Sequence, residues 1–478
     1  MRFIYKEEFE RPSITIQDMD ETDLSNYLTS DGLLDPKYFV DFLMRFSSSL
    51  ESHIQDGYKA LIRYAKEGNI DLFIQNNISQ INKGMIDTAF DSSYDFLKDT
   101  LRFYKYLTKC TPQQLDSILD NKLIEFFYAI YQNQNQEQEE DDQSSSNLIC
   151  KSYIFKIFTN ILSKNQSQFY AFINEGYHSR MYDIFWKHFD LIEESDNDSR
   201  IVASILKFLP VFYLNNDVIL QRDSNFFKDW MIAFSECFQI NNRIVIPALI
   251  ESLQKCTNIC NIRIVYLFFV ERYFPIYFQF CNHSEKRVRL NMILTFLNFK
   301  QLESDDLLRI VNAGLFNIEF LNEETDIEEV IQFLNVIHQY LLKSKEIAYK
   351  ISLSRILFEI NNHGILLTFP IKELYFVILA QLIRACQNSI LNQVFNLCPL
   401  YIELSSELLD AVNDNNKIII LYSYFDLISY MQTGAELSSM IREKFFSNDM
   451  FELLNNFESS SDDVNSLVMA LKSKFVPS

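Results

Sequence analysis

The residues with the best claim to chemistry are Cys256 and Cys260, four positions apart, followed by Cys281 and His283. All four are zinc-ligand types, and a tetrahedral site would need their donor atoms within about 4 Å of one another. Helical periodicity instead places Cys256 near the end of one long helix, and Cys281 and His283 at the end of another, on the opposite edge of a ribbon of helices. The thiols read better as small apolar core residues, and no metal is expected. Ser195, Ser459 and Ser460 each have an acid three residues later, at Asp198, Asp462 and Asp463. That spacing suits an acid-directed kinase and makes the three serines candidate phosphorylation sites.

Little else is suited to catalysis. The six histidines stand singly, at His53, His178, His188, His283, His338 and His363. The chain has only 8 glycines, and the closest two are Gly57 and Gly68, so glycine-rich phosphate loops and nucleophile elbows cannot be built. The expectation is a protein without catalytic residues or cofactor, and not an enzyme.

The elements that would carry any site are helical. Only 8 Gly and 9 Pro serve 478 residues, too few for turn-rich β architecture, while 43 Phe and 25 Tyr supply a large core. The formal charge of −21 disfavours nucleic acid and anionic membrane surfaces and favours basic proteins. No run approaches about 18 uncharged apolar residues, so no membrane-spanning segment is expected. Scattered cysteines suit a reducing compartment, cytoplasm or nucleus.

Residues 1–34 are polar and acidic and read as a flexible arm. Structure begins at Asp35-Pro36, an N-cap acid followed by proline at the first helical position. Phe39, Phe42, Leu43 and Phe46 then share one helical face. Four segments superpose: Phe73 to Ile78, Ile118 to Leu123, Phe172 to Tyr177, and Ile310 to Leu315. Their fifth slot holds Asn77, Lys122, Gly176 and Gly314, and Gly364 stands in the same role later. Such a slot suits a left-handed residue that ends one helix before the next begins. A long apolar helix precedes each, and equivalent points recur every 40–50 residues or so, giving roughly nine units.

With these units laid out, FINEGYHSRMYDIF and IVNAGLFNIEFL resemble the junction of armadillo repeats, and KIFTNILSKN and TFLNFKQLES resemble the end of the preceding third helix. The resemblance implies an all-α fold, a right-handed α-solenoid of armadillo/HEAT-like repeats, over 35–475 as one array. It also implies binding of other proteins along an extended surface, as a non-catalytic scaffold or adaptor. The alternative is a regulatory subunit of an enzyme complex, such as a phosphatase, or a transport factor. Importin-like members read peptides with a Trp-x-x-x-Asn ladder. Here Asn160 and Asn298 fall at the Asn position, as candidate partner-binding residues, but Lys156 and Leu294 stand where Trp would be.

Acidic clusters recur before the long helices: Asp190 to Asp198, Glu319 to Glu329, Asp410 to Asp414 and Glu458 to Asp463. The segment 132–147, with Glu137, Glu139, Glu140, Asp141 and Asp142, is expected to be a disordered loop. If equivalent loops stack along one edge, their acids form a stripe for a basic partner. Glu323, Glu324, Glu328 and Glu329 are its densest part.

Overall fold

The computed structural model describes residues 22–47, 51–91, 94–133, 145–222, 226–240, 242–259, 265–266, 273–321, 325–362, 368–385, 388–432, 437–447 and 450–475. Among these, every regular element is a helix, and the only β feature is an isolated antiparallel bridge between Leu28 and Leu34. The protein is all-α. Its helices group into two compact units, 1–181 and 182–478, with the boundary inside helix Tyr177–Phe189.

In the first unit, three long helices pack side by side: α1 (Glu51–Lys66), α2 (Tyr94–Leu107) and α3 (Ser145–Leu162). Shorter helices form their own rows. Ile70–Gln75 meets Pro112–Ile118, and Ile78–Asp91 meets Asn121–Asn133. In the second unit a row of long helices is formed by α4 (Asp196–Leu214), α5 (Val245–Ile259), α6 (Lys286–Asn298), α7 (Ile327–Leu341), α8 (Phe369–Arg384), α9 (Asp414–Met431) and α10 (Asp462–Phe475), each packed on the next. Each long helix thus buries much of its apolar face against the next long helix in its row.

Polar side chains bolt the long helices together in register. In the first unit, Tyr58 of α1 shares a hydrogen bond of 2.8 Å with Thr100 of α2. In the second, Tyr340 of α7 donates to the Phe296 carbonyl of α6 at 2.8 Å, and His338 of α7 meets Gln381 of α8 at 3.0 Å. The two bonds in the second unit join helix C-terminal end to helix C-terminal end. At the other end, Lys286 at the start of α6 pairs with Asp326 at the start of α7 at 2.5 Å, and Asn416 in the first turn of α9 donates to Glu373 of α8 at 2.7 Å. The long helices of this unit therefore run parallel, with their N-termini along one edge.

The local sequence explains where helices stop and start. Asp35 caps the first turn by accepting from Lys37 N at 3.1 Å, with Pro36 following it, and Phe39, Phe42 and Phe46 are buried. Asn77, Gly176 and Gly314 have φ of 60°, 72° and 102°, the left-handed conformation their slot calls for. Lys122 departs from that expectation: it lies inside helix Asn121–Asn133, which Asp120 initiates by accepting from Leu123 N at 2.8 Å. The capping carboxylate turns the chain without a left-handed residue. Beyond Gly314 there is only a single 3-10 turn, Leu315–Asn317, rather than a full second helix. Gly364 lies outside the described residues.

Residues 22–34, expected to belong to a flexible arm, are structured: Thr22–Tyr27 forms a 3-10 helix, and Leu24 and Leu34 are buried, since apolar side chains of this stretch leave water; residues 1–21 lie outside the described residues. The ends of the 132–147 segment are helical, in Asn121–Asn133 and α3, while 134–144 lies outside the described residues. No helix among the described residues is long and apolar enough to cross a membrane.

Candidate interaction face

The parallel row of the second unit has one side packed on the shorter helices and one side open. Beyond its first turn, α4 is buried over nearly all of its surface and shows solvent only Arg200, Lys207 and its end at Leu214, seven residues apart. That spacing is two helical turns, so the three lie on one line. On α5 the corresponding positions are Pro247, Glu251, Gln254 and Lys255; on α6 they are Arg287, Leu290, Asn291, Leu294 and Leu297. α7 adds Gln332, Asn335 and Gln339, and α9 adds Ile418, Tyr422 and Phe425, with the Arg384 guanidinium of α8 4.9 Å from the centre of the Tyr422 ring. Such a cation over an aromatic face is attractive in itself and holds the ring in place.

Glu251 is the electrostatic centre of this face. Its side chain is 13% exposed, and it takes Lys255 at 2.9 Å, Arg287 at 2.7 Å and Lys207 at 3.1 Å. Burial alone would raise its carboxyl pKa, but Lys207, Lys255 and Arg287 outweigh burial and hold it down at about 2. Three consecutive long helices, α4, α5 and α6, each contribute to the cluster.

Two buried pairs of titratable groups lie elsewhere. Arg289 donates through Nε and Nη2 to the two oxygens of Glu329 at 2.7 and 3.2 Å, and its Nη1 reaches the His283 and Ser284 carbonyls at 2.7 and 2.9 Å. His188 Nδ1 lies 2.5 Å from Asp198 Oδ1, with both side chains buried.

These positions correct several expectations from sequence. Glu329 is fully buried, so it cannot meet a partner; it completes the capping box of α7 by accepting from Asp326 N at 2.9 Å. Glu328 is exposed but paired with Lys286 at 3.1 Å, and Glu323 and Glu324 lie outside the described residues. The acids before the long helices are largely start signals, since a carboxylate or hydroxyl there satisfies the unpaired N–H groups and the positive end of the helix dipole. Asp196 and Asp198 sit in the first turn of α4, Asp414 in that of α9, and Asp462 and Asp463 in that of α10.

Asn160 and Asn298 also point inward along the row. The Asn298 amide donates to Thr257 Oγ1 at 2.9 Å, and Asn160 donates to Thr108 Oγ1 at 3.1 Å and the Lys105 carbonyl at 3.2 Å. Ser195 is the N-cap of α4, accepting from Asp198 N at 3.2 Å, which gives the serine-to-acid spacing a structural reason. Ser459 receives the Ser461 N–H at 3.2 Å, while Ser460 is exposed. Cys256 and Cys281 are buried, the latter with a thiol pushed well up by burial; Cys260 lies outside the described residues. Sequence reading did not single out Lys207, Lys255 and Arg287. Their signal was the Glu251 to Lys255 spacing of four, which alone marks an ordinary exposed helix pair.

No family model matches the chain, and no curated protein matches it. The solved structures of similar fold include the crystal structure of an engineered protein from the Northeast Structural Genomics Consortium. It has a TM-score of 0.63 and 11% identity, over 92% of this chain and 99% of that one. At that identity the likeness speaks for the helical fold alone.

Proposed function

We propose that the repeats of each unit belong to the armadillo/HEAT-like kind, wound as a right-handed α-solenoid. On this reading the protein is a non-catalytic scaffold that binds other proteins along the open side of its long-helix row. The observation that carries it is the parallel row itself. It brings side chains of α4, α5, α6, α7 and α9, from Lys207 to Tyr422, onto one side of the row, where α8 adds Arg384. A catalyst needs titratable groups converging where a substrate can reach them. The buried pairs here, His188 with Asp198 and Arg289 with Glu329, instead serve each other and the packing.

The test compares full-length proteins captured from cells. One variant carries Gln254→Arg, Asn291→Glu and Asn335→Arg on the open face. A second carries Glu346→Arg and Lys350→Glu on the short helix Lys345–Ser352, exposed residues outside that row. The first should lose most copurifying proteins and the second should keep them; the opposite result would overturn the reading.

A further inference from the structure

Three cations converge on one carboxylate at the centre of the open face, in a protein whose net charge is −21. One cation would suffice to neutralise Glu251. Instead Lys207, Lys255 and Arg287 arrive from three successive helices, and their side chains remain 40%, 50% and 60% exposed. Each directs one donor to Glu251, whereas an ammonium has three N–H groups and a guanidinium five. The cluster therefore keeps a surplus of positive charge and of donors, held in fixed positions by a carboxylate that burial and its partners restrain.

Next to the cations lies apolar surface. Leu290, Leu294 and Leu297 follow Arg287 on α6 by three, seven and ten residues, the spacing of a single helix face, and all three are partly exposed. A helix face that is cationic at one end and apolar along the rest complements a segment in which acids stand beside apolar side chains.

We propose that the face formed by α4, α5 and α6 docks an acidic–apolar peptide segment of another protein. Its carboxylates lie on Lys207, Lys255 and Arg287, and its apolar side chains lie on Leu290, Leu294 and Leu297. This rests on the scaffold reading and gives it a first partner chemistry. A nucleic acid or an anionic membrane fits less well, because its charge would run on past the cluster onto the neutral Gln332, Asn335 and Gln339 and the apolar leucines, while the net charge of −21 repels it. A short segment places only a few charges, within a Debye length of about 8–10 Å of the cations.

The experiment pans a random 12-residue phage-displayed peptide library against the full-length protein and measures the selected peptides by fluorescence anisotropy. Wild type should select peptides with Asp or Glu beside Leu, Ile, Phe or Met. Their affinity should fall at least about tenfold between low and physiological salt, as screened charge pairs require. Lys207→Gln/Lys255→Gln/Arg287→Gln should lose them by a similar factor. Because that variant strands Glu251, the same triple with Glu251→Gln added should lose them too while retaining wild-type circular dichroism. Leu294→Asp should weaken binding independently of salt. Selection of basic or neutral peptides, selection unaffected by the triple, or no selected peptide at all would overturn the proposal. So would tighter binding of a labelled twelve-nucleotide oligo-dT, or of phosphatidylserine vesicles, through the same three cations. None of these outcomes alters the cell-capture comparison, which judges the scaffold reading by itself.

Discussion

Asn298, near the end of α6, gives its amide to the hydroxyl of Thr257, at the corresponding end of α5, across 2.9 Å. Asn160 and Thr108 repeat the relationship in the other unit at 3.1 Å. An asparagine that in a peptide-reading repeat protein would face the ligand here fastens one repeat to the one before. The bond fixes the register of two parallel helices whose apolar contacts alone would tolerate sliding.

Asn298→Ala should therefore act on stability. The loss expected is about 1 kcal/mol, because Thr257 is buried and would be left without its donor. Urea unfolding of Asn298→Ala, Thr257→Val and the double variant measures it. Coupling near zero between the two sites would show that the bond does not hold the repeats.

The Arg289–Glu329 pair should show a sharper asymmetry. Arg289→Met leaves a buried carboxylate without its partner and should cost about 3–5 kcal/mol. Adding Glu329→Leu should recover a large part of this, although the capping bond to Asp326 N is lost. If the double variant were no more stable than the single, the pair would not be a buried ion pair.

Much of this organisation could be read in the residues themselves, and the exceptions have physical reasons. The caps at Asp35 and the left-handed Asn77, Gly176 and Gly314 are local, so sequence carries them fully. Lys122 misled because a cap at Asp120 does the same work two residues earlier. Glu329 looked like one more exposed acid, since its partner Arg289 lies 40 residues away and only packing joins them. A similar distance hides Glu251: Lys255 lies on its own helix, but Lys207 and Arg287 come from the helices before and after it.

Leu294 and Ile293 are neighbours on different faces of α6. A core leucine trimmed to alanine costs about 2–5 kcal/mol. Leu294 is partly exposed, and Leu294→Ala should cost less than about 1 kcal/mol. Its neighbour Ile293 is fully buried, and Ile293→Ala should cost the larger amount. Thermal unfolding of the two variants decides the register of α6; equal costs would contradict the open face described above.

Glu251 should make stability depend on pH. Its folded pKa of about 2 lies below the ordinary 4.5, so its contribution is present above about 4.5 and fades as pH falls toward about 2. Comparing wild type with Glu251→Gln in denaturant at pH 7, 5, 4 and 3 should show a difference that holds between the first two and narrows below. A difference independent of pH would mean that the three cations do not hold the charged form.

On the scaffold reading, other proteins bind on the open side of the long-helix row. Hydroxyl-radical footprinting of the full-length protein, free and in complex with a captured partner, reads side-chain accessibility directly. Leu290, Leu294 and Leu297 should lose reactivity in the complex, while exposed Phe358 and Tyr349, on the short helices Arg355–Asn362 and Lys345–Ser352, should keep theirs. Protection of Phe358 and Tyr349 with the three leucines unchanged would contradict the claim.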